Sequence, residues 1–223
     1  MSKIVFFDTE TTGMTRGGTE VFKGHRIVEV AFLAQLPSDE FIPFQQYLNP
    51  DQAVSPEAFA VHGLADAFLK GYPKFEHCAQ QIVNQIQDAV LIAHNAPFDI
   101  AFLDYELAKA GFGPVTQYCA EVIDTLVIAR KKFPGQKNSL DALCQRFGIS
   151  IAHRSFHGGL KDCYLLSQVY RCLRQGQRLM DFASSQNAQS SLVHSYSSDN
   201  LVLCPVTPEE TQRHEKFITD RLS

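Results

Sequence analysis

Basic charge is in short supply: 20 Lys and Arg stand against 24 Asp and Glu, for a net charge of −4. A protein that holds nucleic acid by non-specific attraction usually shows a strong basic excess, so if nucleic acid is the substrate, something else must help to hold it. The six cysteines, Cys78, Cys119, Cys144, Cys163, Cys172 and Cys204, form no C-x-x-C pair. Three of them fall in helix-like apolar patterns, which favours reduced core thiols over zinc or disulfides. Long apolar runs are missing too. The N-terminal MSKIVFF offers only Ile4 to Phe7 before Asp8, too little for a signal peptide or a membrane span. The expectation is a cytoplasmic protein with no membrane partner.

What is present suits one sizeable core. The chain is 223 residues long and 45% hydrophobic, enough for one domain with an appendage. Residues 3–10, 26–36 and 41–50 read as β-rich runs joined by polar turns, a three-strand antiparallel meander. The period then changes. Ser55, Pro56 and Gly63 supply an N-cap, a first helical residue and a stop, and a longer helix is expected over 75–87. AVLIAH (89–94) and AEVI (120–123) read as buried strands, each followed by a helical stretch, the first closed by Gly111 and the second by Pro134-Gly135. Strands alternating with helices after a meander predict an α/β fold with a mixed sheet. NSLDALCQRFG and LKDCYLLSQVYRCLRQG add two amphipathic helices, and Gly176 is expected to end the compact domain, 1–176.

Residues 183–200 are rich in Ser, Gln and Asn, can hardly offset their ordering entropy, and read as linker within a span of 177–200. In the segment 201–223, Thr207 and Glu210 have capping-box spacing around Pro208, which predicts a last short helix.

Four carboxylates and a histidine carry the chemistry. In DTETTG, Asp8 and Glu10 lie two apart on a strand, hence on one face, together with Ile4 and Phe6. Two like charges this close raise each other's pKa unless a cation lies between them. A strand ending in water would explain an isolated D-x-E, but D-x-E-[ST]-[ST]-G arises by chance in a chain this long roughly once in a few thousand. Gly13 permits a close backbone approach where a ligand would arrive. Asp99, in HNAPFD, falls in the first turn of a helix directly after a strand, where α/β sheets gather ligands. Asp162, in HGGLKD, heads the apolar stripe Leu165, Leu166 and Val169, an expensive place for an unpaired charge. His157 precedes it by five residues across Gly158 and Gly159, and histidine is the side chain suited to accepting a proton near neutrality. His25, His77, His153, His194 and His214 read as ordinary surface or satisfied residues, and Phe98 and Phe102 as core.

In order and spacing, DTETTG, HNAPFD and HGGLKD resemble the three exonuclease motifs of the DEDDh superfamily, and the chain is similar within it to the proofreading epsilon subunits of bacterial DNA polymerase III. The likeness runs from residue 3 to about 175 and includes PEAFAVHGL and RKKFPGQKNSLDALC. It implies a ribonuclease H-like fold: a mixed five-stranded sheet, three antiparallel strands then parallel ones, flanked by helices, with a flexible C-terminal linker and a short docking segment. It implies Asp8, Glu10, Asp99 and Asp162 as ligands of two divalent ions, Mg²⁺ or Mn²⁺, and His157 as general base in the hydrolysis of a 3′-terminal phosphodiester. Thr9, Glu57 and His62, with Asp8 and Glu10, fall where such enzymes touch the terminal nucleotide. The implied partners are a single-stranded or frayed DNA 3′ end, the polymerase III α subunit through 201–223, a sliding clamp and a small θ-type subunit. For the clamp, QRLMDF offers Gln177, Met180 and Phe182, residues that also suit an ordinary helix end.

Two other functions fit parts of the pattern. A stand-alone DEDDh nuclease acting on RNA or single-stranded DNA would have no evident need of a tethered docking helix. A catalytically dead structural subunit would gain nothing from clustered like charges.

Overall fold

The computed structural model describes residues 3–15, 20–151 and 157–188, with side-chain surroundings given as far as 175. The expected docking segment 201–223, His153, His194, His214 and Cys204 lie outside the described residues. Chain contacts divide the protein into a unit of residues 1–180 and a unit of residues 181–223; the architecture below belongs to the first.

Strands β1 (Lys3–Thr11), β2 (Ile27–Gln35) and β3 (Phe41–Tyr47) form the antiparallel meander, while β4 (Ala89–Ala93) and β5 (Glu121–Asp124) run parallel to β1. The sheet order is β3-β2-β1-β4-β5, so β1 is central. Its alternation divides the core. Val5 and Phe7 pack with α3 (Phe75–Ile86) and α4 (Ala96–Lys109) on one face, and Phe6 packs with Cys163 and Leu166 of α7 (Gly159–Ala188) on the other. The apolar stripe of α3, Phe75, Cys78, Ala79, Ile82, Val83 and Ile86, is the 3.6-residue pattern of a helix with one face in the core.

Local chemistry sets the remaining boundaries. In α1 (Pro56–His62), Ser55 Oγ accepts from Ala58 N at 3.1 Å, and Gly63, at φ 71°, takes the left-handed stop. The helices α5 (Thr125–Lys132) and α6 (Leu140–Arg146) start on side-chain caps from Asp124 and Ser139. They close a third apolar cluster, Ala129, Leu143 and Cys144 against Val169 and Leu173 of α7. A four-residue helix, α2 (Asp66–Leu69), and a 3₁₀ turn at Val115–Gln117 are too short to leave a periodic signal.

One boundary differs from expectation. Helix α7 does not stop at Gly176 but continues to Ala188. An interior glycine costs a helix only about 1 kcal/mol relative to alanine, and here it is flanked by Arg174, Gln175, Gln177 and Arg178, all good helix formers. The clamp-like residues Gln177, Met180 and Phe182 therefore lie along this helix, with their side chains outside the description. No helix among the described residues is long and apolar enough to cross a membrane.

Candidate functional site

The carboxylates meet at the C-terminal end of β1. Asp8 and Glu10, two apart on that strand, share the sheet face covered by α7, whose first turn carries Asp162. Each of the three offers a carboxylate oxygen within 4.8 Å of the others'. Burial pushes the Asp8 carboxyl well above its usual range, and the charges of Asp99, Glu10, Asp162 and Glu29 push it further. Such a set is unfavourable as bare anions and suits hard divalent cations, which take oxygen ligands.

Asp99 joins from the other side. It is buried in the first turn of α4, and its Oδ1 accepts from Thr9 N at 3.0 Å and Thr9 Oγ1 at 2.7 Å. Burial nevertheless raises its pKa to about 7, because desolvation outweighs the hydrogen bonds that favour the charged form. Thr9, expected to touch substrate, thus commits its hydroxyl and its N–H to Asp99 while also lining the adjacent cavity.

His157 is fixed at two points. Its backbone N–H donates to Val61 O at 2.9 Å, and its Nδ1 lies 3.1 Å from Asp162 Oδ2. The C-terminal turn of α1 and the residues leading into α7 are therefore joined next to the carboxylates.

A cavity of about 460 Å³ opens beside them, lined by Thr9, Glu10, Thr11, Met14, His25, Glu57, Val61, His62 and Phe98 among others. Glu57 is exposed at its rim. His62 is committed internally: its Nδ1 accepts from Leu64 N at 3.0 Å, so its Nε2 carries the proton and donates to Thr11 O at 3.1 Å. Burial lowers its pKa, in keeping with this neutral ring. Both nitrogens tie α1 to the end of β1, which leaves the ring surface to face the cavity.

Three features escaped the sequence reading. Phe98 packs against the core as expected, beside the fully buried Phe102 with ring centroids 5.0 Å apart, but it is only half-buried and its free side lines the cavity. His25, read as ordinary, lines the same cavity. It also explains Gly13: at φ 144° an added Cβ would come within 2.8 Å of His25 and 3.1 Å of Ser55 Oγ, so the close approach is made by the protein's own side chains. The third is Glu29, buried on β2 directly opposite Glu10. Its signal in the sequence is a carboxylate between Val28 and Val30, the one charge within the apolar stretch 27–34.

A mixed sheet of this order with flanking helices is the ribonuclease H-like architecture of exonucleases, and the acidic cluster at its central strand end places the protein in that class of enzyme. An exonuclease family model matches residues 5–170. DNA polymerase III subunit epsilon of Escherichia coli strain K12 is 39% identical over 229 residues, covering 96% of this chain and 91% of that protein. Its counterpart from Rickettsia conorii is 37% identical over 224 residues, covering 96% and 94%. Among solved structures, exonuclease X in complex with 5′ overhanging duplex DNA aligns with a TM-score of 0.58 and 26% identity, over 78% of this chain and 92% of that one. Escherichia coli exonuclease I in complex with a dT13 oligonucleotide shares the fold, with a TM-score of 0.64 at 18% identity over 82% and 43%. The chain belongs to the exonuclease family, in its branch of DNA polymerase III epsilon subunits.

Proposed function

We propose that the chain is the proofreading 3′–5′ exonuclease of a bacterial replicase, removing mismatched 3′-terminal nucleotides as nucleoside 5′-monophosphates. The observation that carries this reading is the convergence of Asp8, Glu10 and Asp162 within 4.8 Å at the end of a buried strand, with Asp99 against Thr9 beside them. Asp8, Glu10, Asp99 and Asp162 hold two divalent ions, Mg²⁺ or Mn²⁺. When bound, such ions supply a water activated at neutral pH and charge stabilisation for the departing oxygen. His157, steadied by Val61 O and Asp162, takes the proton of the attacking water. The water oxygen bonds to phosphorus, the P–O3′ bond breaks, and O3′ of the penultimate nucleotide leaves and takes a proton from solvent to become a hydroxyl, while His157 returns its proton to solvent. The cavity walls at Thr9, Glu57, His62 and Phe98 receive the terminal nucleotide.

Mismatch selectivity requires no dedicated pocket, because an unpaired terminus costs less to unstack and deliver as a single strand. The net charge of −4 leaves retention of the DNA to a partner, in keeping with relatives named as polymerase III subunits. In this reading the nuclease domain is followed by the clamp-binding residues Gln177, Met180 and Phe182 on the last turns of α7, and the linker occupies the residues after Ala188 up to 200. The segment 201–223 docks on the polymerase α subunit, a θ-type subunit completes the assembly, and the whole acts in the cytoplasm.

The test is release of labelled nucleotides from matched and mismatched DNA primers and from RNA, each with 3′ or 5′ blocks. Mg²⁺-dependent release from the DNA 3′ end, abolished by Asp8→Ala and by His157→Ala with the fold intact, is expected. Unchanged activity in either variant sinks the assignment, and preference for RNA transfers it to a stand-alone nuclease. Recovery of polymerase α equally well by the chain ending at residue 200 would refute the docking role of the tail.

A further inference from the structure

We infer that Glu29 is a positioning residue for the nuclease reaction, clamping the first turn of α7 so that Asp162 and His157 stay aimed at the carboxylates of β1. The inference rests on the nuclease reading above and adds to it a residue that contributes neither a metal ligand nor a base.

Glu29 is a poor choice for stability alone. It is 1% exposed in the middle of β2, whose other residues from Ile27 to Ala34 are buried and apolar. Among the described residues it forms no ion pair with Lys or Arg. It faces Glu10 across the β1–β2 ladder and so adds like charge to the acidic cluster. A buried carboxylate without a cation costs free energy that a valine at the same place would not.

What it does make are contacts to α7. The first turn of α7 starts against its carboxylate, and although burial raises the Glu29 pKa, the backbone of Gly159 and Leu160 works the other way and favours the charged form, as the start of a helix does for an anion. Gln45 of β3 donates to Oε1 at 2.7 Å and so helps fix the carboxylate's own orientation. The approach of helix to strand is close: a Cβ on Gly159 would lie 2.9 Å from Ala31 Cβ and 3.2 Å from Glu29 Oε1. Asp162 follows Gly159 in the same helical turn, and His157 leans on Asp162. A tilt of that turn therefore moves a metal ligand and the base together. Misplacement of a reacting group by about 1 Å can cost about 100-fold in rate, so the clamp acts on kcat rather than on strand binding.

The experiment compares the full chain with Glu29→Gln, Glu29→Ala and Gly159→Ala in Mg²⁺-dependent release of nucleotides from a single-stranded oligodeoxynucleotide, below each variant's melting temperature. Expected are kcat losses of about 10-fold for Glu29→Gln and about 100-fold for Glu29→Ala, with KM for the strand unchanged and a higher half-saturating Mg²⁺ concentration. Gly159→Ala gives the same split, and its effect is not additive with Glu29→Gln because both disturb one contact. A purely structural role lowers the melting temperature and leaves kcat and the Mg²⁺ requirement as in the parent; that outcome, or a loss confined to KM, overturns the inference. If Glu29→Ala does not fold, Glu29→Gln and Gly159→Ala decide. If the parent itself releases no nucleotide, the nuclease reading fails, and amide exchange at Gly159 and Leu160 judges the clamp. Exchange about 10-fold faster in Glu29→Gln supports the clamp, and unchanged exchange overturns it.

Discussion

Replacing Asp99 by asparagine tests the electrostatic account of the site without moving an atom of its frame. The asparagine keeps a carbonyl oxygen able to accept from Thr9 N and Thr9 Oγ1, as Asp99 Oδ1 does now. What the substitution removes is a carboxyl whose pKa burial raises from 3.8 to about 7. In metal-free protein the folded state then holds this proton up to about pH 7, whereas the unfolded chain releases it near 3.8. Between those values the folded state binds more protons, so stability falls as pH rises and levels off above about 7. At about 1.4 kcal/mol per unit, the ionised group costs roughly 2 kcal/mol at pH 5 and roughly 4 at pH 8. The parent should thus lose about 2–3 kcal/mol more than Asp99→Asn over that interval. For a chain of this size the excess is about 5–10 °C in melting temperature. The assay is thermal unfolding of both proteins in chelator at pH 5 to 8. If the carboxylates hold divalent ions as proposed, added Mg²⁺ should then raise the melting temperature of the parent at pH 8 more than that of the variant, since a ligand of the folded, ionised cluster stabilises that state. Parallel pH curves for the two proteins in chelator would refute the reasoning.

Two further outcomes follow from other parts of the structure. Arg26 Nε and Nη2 reach Glu106 Oε1 and Oε2 at 2.7 and 2.8 Å, with Glu106 buried on α4, so Glu106→Ala leaves a largely buried cation with only the exposed Glu76 carboxylate, 4.0 Å away, and should cost about 3 kcal/mol by urea denaturation. A loss below about 1 kcal/mol would show that the pair is effectively solvated. Phe98→Ala opens the cavity wall without touching a carboxylate and should raise KM for a single strand about 10-fold while kcat stays within about 2-fold, because one stacked base is worth about 1–3 kcal/mol. An unchanged KM would leave Phe98 only the core role that its sequence position suggested.

The fold was largely legible because its elements carry their own punctuation. Ser55-Pro56 and Gly63 bracket α1, Gly111 follows α4, and the switch from period two to period 3.6 after residue 50 marks the passage from meander to helices. Gly176 misled because a glycine stops a helix only where the backbone turns left-handed, and nothing in RQGQR demands that turn. At the candidate site, the sequence singled out Asp8, Glu10, Asp99, Asp162 and His157 by residue type and position, and the structure gathers Asp8, Glu10 and Asp162, with Asp99 held by Thr9 and His157 by Asp162. The internal commitment of His62 was not legible, since both of its partners are backbone groups, one of them 51 residues away. Nor was the free side of Phe98, whose i+4 neighbour Phe102 carries the same apolar signature behind the cavity wall.

The alternation of β1 also explains why Asp99 stands apart from the compact trio. Asp8 and Glu10 point to the face that α7 covers, so Asp162 reaches them directly, along the same face that buries Phe6 against Cys163 and Leu166. Thr9, between them, points to the other face, which α4 covers with Phe102 and Leu103. Asp99 arrives from that side and can meet the trio only around the end of the strand, and Thr9, through its N–H and its hydroxyl, holds it at that edge. The three letters D-T-E thus join the two layers of the fold: the outer pair collects the helix on one face, and the threonine collects the helix on the other. A hydrophobic residue at position 9 would preserve the strand and leave Asp99 without its side-chain hydrogen bond, which makes the middle of the motif as consequential as its ends.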